Sequence, residues 1–155
     1  MNSDTMEKHK RMSPLTILLV EDNPADARLI KELLKDIDDN NVLHVAQDGI
    51  EAMDFLHENC KNDKTKLCPQ LIILDLNLPR MSGRDVLKAI KTDDDLKTIP
   101  VLILTTSTDE VEECYKSYAN CYMIKPVDFN EFEKLMKSIK AFWLNDAYLP
   151  DPNSY

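Results

Sequence analysis

Four short apolar runs in this chain, TILLV (16–20), LIIL (71–74), VLIL (101–104) and CYMI (121–124), each stop at residues that could do chemistry. They end at Glu21 and Asp22, at Asp75, at Thr105 and Thr106, and at Lys125. A carboxylate at the end of a buried run is costly unless it has partners. Two bare carboxylates ~4 Å apart repel by roughly 4 kcal/mol at an effective dielectric near 20, so three brought to one place need a cation. An all-oxygen site suits Mg²⁺, which keeps several waters and commonly joins one or two carboxylates to phosphate oxygens. Lys125 is then the counter-charge to a phosphoryl group. Taken singly, each acid reads as a solvated cap, each threonine as a β-branched strand residue and Lys125, before Pro126, as a surface turn. The chemistry is expected only if the separate segments converge on one rim. Asp48 also lies near a strand end, but the turn Asp48-Gly49 explains it and it is assigned no chemistry.

The elements that must position these groups can be read along the chain. The run 16–20 has the continuous apolar character of a strand covered on both faces. Asn23 offers a cap, Pro24 sits where a helix tolerates it, and Leu29, Ile30, Leu33, Leu34 and Ile37 follow at helical spacing. NVLHVAQ reads as a second strand, followed by a helix bearing Ile50, Met53 and Leu56 on one face. LIIL is the third strand, and a helix after Gly83 buries Val86, Leu87 and Ile90. VLIL is the fourth; a fourth helix in STDEVEECYKSY is expected to be capped by Ser107 or Thr108. CYMI is the fifth. In the last helix Asp128 and Glu131 have capping-box spacing, and Phe132, Leu135, Met136, Ile139, Phe142 and Trp143 recur every three or four residues.

Strand and helix alternating five times predict an α/β fold, a doubly wound five-stranded parallel sheet with helices on both faces. With five strands the flavodoxin-like order 2-1-3-4-5 is expected, with strands 1 and 3 flanking the switch point beyond whose carboxyl ends ligands bind.

Composition narrows the function classes. The chain has 155 residues, enough for one domain, and 43% of them are hydrophobic. A formal charge of −9 argues against nucleic acid as a partner, since phosphate contacts come from Lys and Arg. No apolar stretch approaches the roughly 20 residues of a membrane span, and the polar start lacks a secretory signal, so a soluble, cytoplasmic protein is expected. Cys60, Cys68, Cys114 and Cys121 lack metal or redox spacing and are expected to be reduced thiols.

ILLVEDN, LIILDLNLPRMSG, VLILTTS and CYMIKP resemble, in order, the four signature blocks of the receiver domain of two-component response regulators, the CheY-like fold. The resemblance covers roughly residues 15 to 141. DLNLPR, TTS, NCY and FWLNDAYLP are similar to the single-domain regulators associated with phytochromes. The resemblance implies that Asp75 is the phosphoacceptor, taking a phosphoryl group from a sensor histidine kinase, possibly of phytochrome type. It implies a Mg²⁺ site, with Mn²⁺ as a substitute, made by Glu21, Asp22, Asp75 and the backbone carbonyl of Asn77. Thr105 would bond the phosphoryl group, Lys125 would pair with it, and Tyr122 would be the aromatic switch. A cis peptide between Lys125 and Pro126 is implied as well. The protein would then be no enzyme in the ordinary sense, but a phosphoacceptor that catalyses its own aspartyl phosphorylation and slow dephosphorylation.

Two features depart from that pattern. The fourth helix is short, and without the Gly common before the last block it is expected to stop at Asn120, which tolerates the left-handed conformation. Glu21 stands where Asp is more usual, a longer arm suited to contact through a metal-bound water. The expected organisation is a flexible segment over 1–14, the receiver domain over 15–145 and a tail over 146–155. So little chain after residue 141 points to output through protein binding. Phe142 and Trp143 exceed what one small domain covers, so a homodimer through the last helix is expected, against a bland alternative in which Trp143 is capped by Tyr148 and Leu149. The alternatives of other classes are a receiver-like scaffold that takes no phosphate, a phosphohydrolase of the haloacid dehalogenase type, whose DxDxT lacks its second acid here, and a flavodoxin, whose phosphate cradle is replaced by EDNPAD.

Overall fold

Unbroken apolar runs flanked by capped helices give five parallel strands in the computed structural model, which describes residues 14–35, 40–61 and 63–151. The strands are β1 (Thr16–Val20), β2 (Val42–Ala46), β3 (Leu71–Leu74), β4 (Val101–Thr105) and β5 (Cys121–Ile124). They pair in the order β2-β1-β3-β4-β5, as the alternation predicts. Register fixes the rim: Val20 stands opposite Leu74, and Thr105 opposite Ile124. The chain therefore leaves β1, β3, β4 and β5 on one edge of the sheet. The three central strands are buried along their whole length, whereas the edge strands β2 and β5 are only half covered.

Helices α1 (Pro24–Leu34), α2 (Gly49–Cys60), α3 (Gly83–Lys91), α4 (Val111–Lys116) and α5 (Phe129–Ile139) cover the two faces. Alternate strand residues point to opposite sides. Ile17, Leu19, Ile73 and Leu104 meet Ile30 of α1 and Phe132 and Met136 of α5. Leu18, Val20, Ile72 and Ile103 meet Leu56 of α2 and Val86 and Ile90 of α3. The cap of α1 is as expected: Asn23 Oδ1 accepts from the Ala25 and Asp26 amides at 2.9 and 3.1 Å, and Pro24 follows. Ile37 and residues 1–13 and 152–155, most of the expected flexible segment and the end of the tail, lie outside the described residues.

Several local expectations are corrected. Helix α4 starts only at Val111 and Glu110 gives no side-chain cap. Ser107 is engaged elsewhere, its hydroxyl donating to Asp109 at 2.8 Å, and the Glu110 carboxylate is taken by Arg84. The left-handed residue after α4 is Tyr118, φ 70°, and not Asn120, whose side chain instead accepts from the Val101 amide at 2.8 Å and ties the turn to β4. At α5 Asp128 caps the Asn130 amide, but Glu131 pairs with Lys134 in place of closing a capping box.

The last helix widens into a π-helical turn, Lys140–Asp146. The extra residue in that turn shifts the facing residue by one, so Leu144 is buried (5% exposed) and Phe142 is turned outward (54%). Trp143 and Leu149 pack on the α1–α5 core, as the bland alternative has it for those two residues. Cys60 and Cys68, expected as free thiols, form a disulfide. The loop between them folds back on Asn59, whose carbonyl and side chain bond Thr65, and brings the two Cα atoms within 5.0 Å. Cys114 and Cys121 are free thiols. The Lys125–Pro126 peptide is trans, against the implied cis bond; trans is the lower-energy form for X-Pro by ~0.5–1 kcal/mol.

Candidate functional site

Four strand ends deliver the expected groups to one rim. The chain crosses it on backbone hydrogen bonds: the Glu21 amide donates to Ala46 O (3.0 Å), Asp75 to Val20 O (3.0 Å) and Lys125 to Thr105 O (2.7 Å). These bonds continue the sheet ladder one residue beyond each strand and hold the first functional residue as firmly as the strand itself. Glu21 and Asp75 are 2% and 7% exposed, Thr105 is fully buried, and Asp22 faces outward.

Carboxylate oxygens of Glu21, Asp22 and Asp75 all lie within 4.8 Å of one another. Three hard oxygen donors of this kind fit a small divalent cation such as Mg²⁺, and the mutual repulsion they generate is what a cation relieves. Lys125 Nζ supplies the positive charge inside the cluster. It bonds Glu21 Oε1, lies 3.0 Å from Asp75 Oδ2 and reaches Asp26 Oδ2 at 3.3 Å. Asp75 Oδ1 accepts from the Asn77 amide at 3.3 Å, and Glu21 Oε2 from the Asn23 amide at 3.2 Å. Burial lifts the Glu21 carboxyl to about 7, a shift that the Lys125 hydrogen bond and charge limit. Burial acts to lower the Lys125 ammonium, but bonding to Glu21 and the charge of Asp75 outweigh it and hold the group above the ordinary lysine value. Lys125 therefore sets its ammonium 3.0 Å from Asp75 with its charge favoured by its neighbours.

Thr105 closes β4 beside this cluster, with its hydroxyl accepting from the Ser107 amide at 3.4 Å. Tyr122 lies on β5 next to Ile103, and its hydroxyl donates to Ser107 O at 2.8 Å. The segment after Thr105 is thus held from both sides, by the threonine and by the tyrosine. Asn77 is exposed just beyond Asp75. The acid that a haloacid dehalogenase pattern would carry there is an amide.

Two features were missed in the sequence. Asp26 joins Lys125, although an acid in the first turn of a helix is ordinarily read as a complement to the helix dipole. Asp48 does more than make a turn: it caps α2 through the Glu51 amide at 2.8 Å and takes a bidentate bond from Arg80 at 2.9 and 3.0 Å. Arg80 sits at φ 66° in the loop leaving Asp75, so this pair ties that loop to α2. Paired polar residues 32 positions apart carry no local signal.

Comparison with known proteins places the chain in a family of this fold. The response regulator receiver domain family matches residues 17–137. Response regulator Rcp1 of Synechocystis sp. is 43% identical over 139 residues, covering 88% of this chain and 94% of that protein. The probable methanogenesis regulatory protein FilR2 of Methanothrix harundinacea is 36% identical over 141 residues, 90% of each chain. Among solved structures, the Mn²⁺-bound form of Rcp1 superposes with a TM-score of 0.80 at 41% identity, covering 89% of this chain and all of that one. The phosphorylated cyanobacterial phytochrome response regulator RcpA gives a TM-score of 0.81 at 39% identity, with 90% of this chain and all of that one covered.

Proposed function

Because this chain belongs to the response regulator receiver domain family, we propose that it is a phosphorylation-driven signalling switch in which Asp75 accepts a phosphoryl group from a histidine kinase. The observation that carries this reading is the buried Asp75 carboxylate held between Lys125 Nζ at 3.0 Å and the oxygens of Glu21 and Asp22. An Asp75 oxygen attacks phosphorus, the donor's phosphorus–nitrogen bond breaks, and the donor imidazole leaves with the electron pair. The product is an acyl phosphate on the protein. Such transfer has a loose transition state, so positioning and charge stabilisation account for most of the catalysis.

Each side chain has a part in that step. Lys125 pairs with the phosphoryl oxygens, and Thr105 donates its hydroxyl to one of them. Glu21, Asp22, Asp75 and the backbone carbonyl of Asn77 would hold Mg²⁺, or Mn²⁺ in its place, which supplies the charge that neutralises the rim and the incoming phosphoryl group. The same groups let the protein phosphorylate itself from a small acyl phosphate donor and slowly hydrolyse the product. Thr105 turning toward the phosphoryl group releases the Ser107 amide, and Tyr122, bonded to the carbonyl of the same residue, responds; the two side chains carry the state of the site to the α4–β5 surface.

The kinase is of phytochrome type, in keeping with the relative described as a phytochrome response regulator. The receiver domain is taken as 15–145, with output through protein contacts in the cytoplasm. A homodimer built on the last helix is part of the proposal, supported by Phe142 and Tyr148, 54% and 76% exposed at its end. None of the helices among the described residues is long and apolar enough to cross a membrane. Acetyl phosphate or a phosphorylated kinase should label the protein at Asp75 only with Mg²⁺ or Mn²⁺. Label that survives Asp75→Asn, or that ignores chelator, overturns the reading.

A further inference from the structure

Asp26 has no part in the switch described above, yet its carboxylate reaches the same ammonium as the phosphoacceptor. Its Oδ2 lies 3.3 Å from Lys125 Nζ, and its side chain is 37% exposed at the first turn of α1. The backbone there is fixed, since the Asp26 amide donates to the Asn23 cap at 3.1 Å. Three carboxylates share Lys125: Glu21, Asp75 and Asp26. Glu21 and Asp75 also belong to the oxygen cluster suited to a cation, and Asp26 does not.

The three partners therefore behave differently once the site is loaded. A divalent cation draws charge from Glu21 and Asp75. Phosphorylation converts the Asp75 carboxylate into an ester-like acyl oxygen and hands its share of Lys125 to the phosphoryl oxygens. An ammonium has three N–H donors, so Lys125 can turn to the new anion without leaving its place. Asp26 alone of the three is neither in the cation cluster nor the residue phosphorylated, so its carboxylate stays directed at Lys125 throughout. That charge is not consumed by the cation, and it opposes the phosphoryl anion.

Resting on the phosphoacceptor reading, we propose that Asp26 is a positioning residue that acts through Lys125: it competes with the phosphoryl group for the ammonium and so weakens the phosphorylated state. Removing one charge beside Lys125 in a half-exposed setting should tighten phosphoryl-analogue binding by roughly tenfold. The same removal takes negative field from the rim and should leave Mg²⁺ binding unchanged or slightly weaker. The gain in phosphoryl-analogue binding is therefore not matched by a gain in Mg²⁺ binding, whereas a merely structural role, in which Asp26 only steadies Lys125, would weaken both.

The test uses the full chain and titrations with MgCl₂ alone, then with beryllofluoride at saturating Mg²⁺, followed by calorimetry and by amide NMR around Asp75. A small-molecule probe avoids any contact that a kinase makes with α1. Asp26→Asn should bind beryllofluoride about tenfold more tightly than wild type, and Asp26→Glu, which keeps the charge, should match wild type. Equal or weaker beryllofluoride binding by a folded Asp26→Asn overturns the inference while leaving Asp75 as phosphoacceptor. A wild type that binds no beryllofluoride in Mg²⁺ overturns both.

Discussion

Gly83 is where the fold and the site are most tightly joined, and replacing it with alanine tests that join. It opens α3 directly against the backbone of Asp75. A Cβ there would lie 2.0 Å from Asp75 O and 2.6 Å from Leu76 Cα. Ordinary contact begins near 3.4 Å, so about 1.4 Å must be found between two pieces of backbone. No rotamer can supply it, and the Gly83 amide is also bonded to Leu76 O at 2.9 Å. Overpacking of this kind costs typically 1–3 kcal/mol, and with backbone on both sides we expect about 3 kcal/mol, a fall in Tm of roughly 6–12 °C for a chain of this size. Because the displaced atom is the carbonyl of Asp75 itself, beryllofluoride affinity should fall at least about tenfold, as misplacements near 1 Å can cost more than that. Thermal denaturation and beryllofluoride titration read the two effects. Gly49→Ala is the control: its Cβ would meet Met81 O at 2.1 Å, on the same loop but away from Asp75, so stability should fall with a smaller loss of binding. A Gly83→Ala protein whose Tm stays within about 2 °C of wild type and whose affinity is unchanged refutes the reasoning.

Four other outcomes follow from the site and the surface. Glu21, its carboxyl lifted by burial from 4.5 to about 7, must lose a proton before it can serve a cation, so Mg²⁺ affinity should be about tenfold lower at pH 6 than at pH 8 with proton release on binding; an affinity flat over that range refutes it. For the same group the folded pKa exceeds the unfolded one, so its contribution to stability without Mg²⁺ is complete below about 4.5 and is lost as pH rises through about 7, which denaturation midpoints check. Tyr122→Phe removes the 2.8 Å bond to Ser107 O and should cost about 1 kcal/mol, read by denaturant unfolding, while still binding beryllofluoride. Light scattering should find a dimer that Phe142→Ala, which removes an outward-facing ring, dissociates without unfolding; a wild type that stays monomeric at high concentration, with or without beryllofluoride, removes the dimer.

Elements with a strong local cause were legible in the sequence. The central strands are continuous apolar runs because they are covered on both faces, and that pattern needs no tertiary information to be recognised. Five alternations, with right-handed crossovers, then determine that the residues after those runs share a rim. Glu21, Asp22, Asp75, Thr105 and Lys125 are together for that reason, and their types alone imply an oxygen-rich cation and phosphoryl site. The tertiary structure decided what depends on distant partners. Asp26 and Asp48 looked like a first-turn acid and a turn residue until Lys125 and Arg80 arrived from 99 and 32 positions away. Ser107 was a plausible cap, but Tyr122 and Asp109 claim its carbonyl and hydroxyl, and α4 starts later. Helical spacing put Phe142 and Trp143 together on one stripe beyond what the domain covers, and one extra residue in a π turn separated them, with Leu144 and Trp143 on the core and Phe142 outside. Cys60 and Cys68 were paired by a folded-back loop and not by a motif. Periodicity and chain order carry the alternation of strands and helices, whereas the choice among competing hydrogen-bond and packing partners is made only when the whole chain has closed around them.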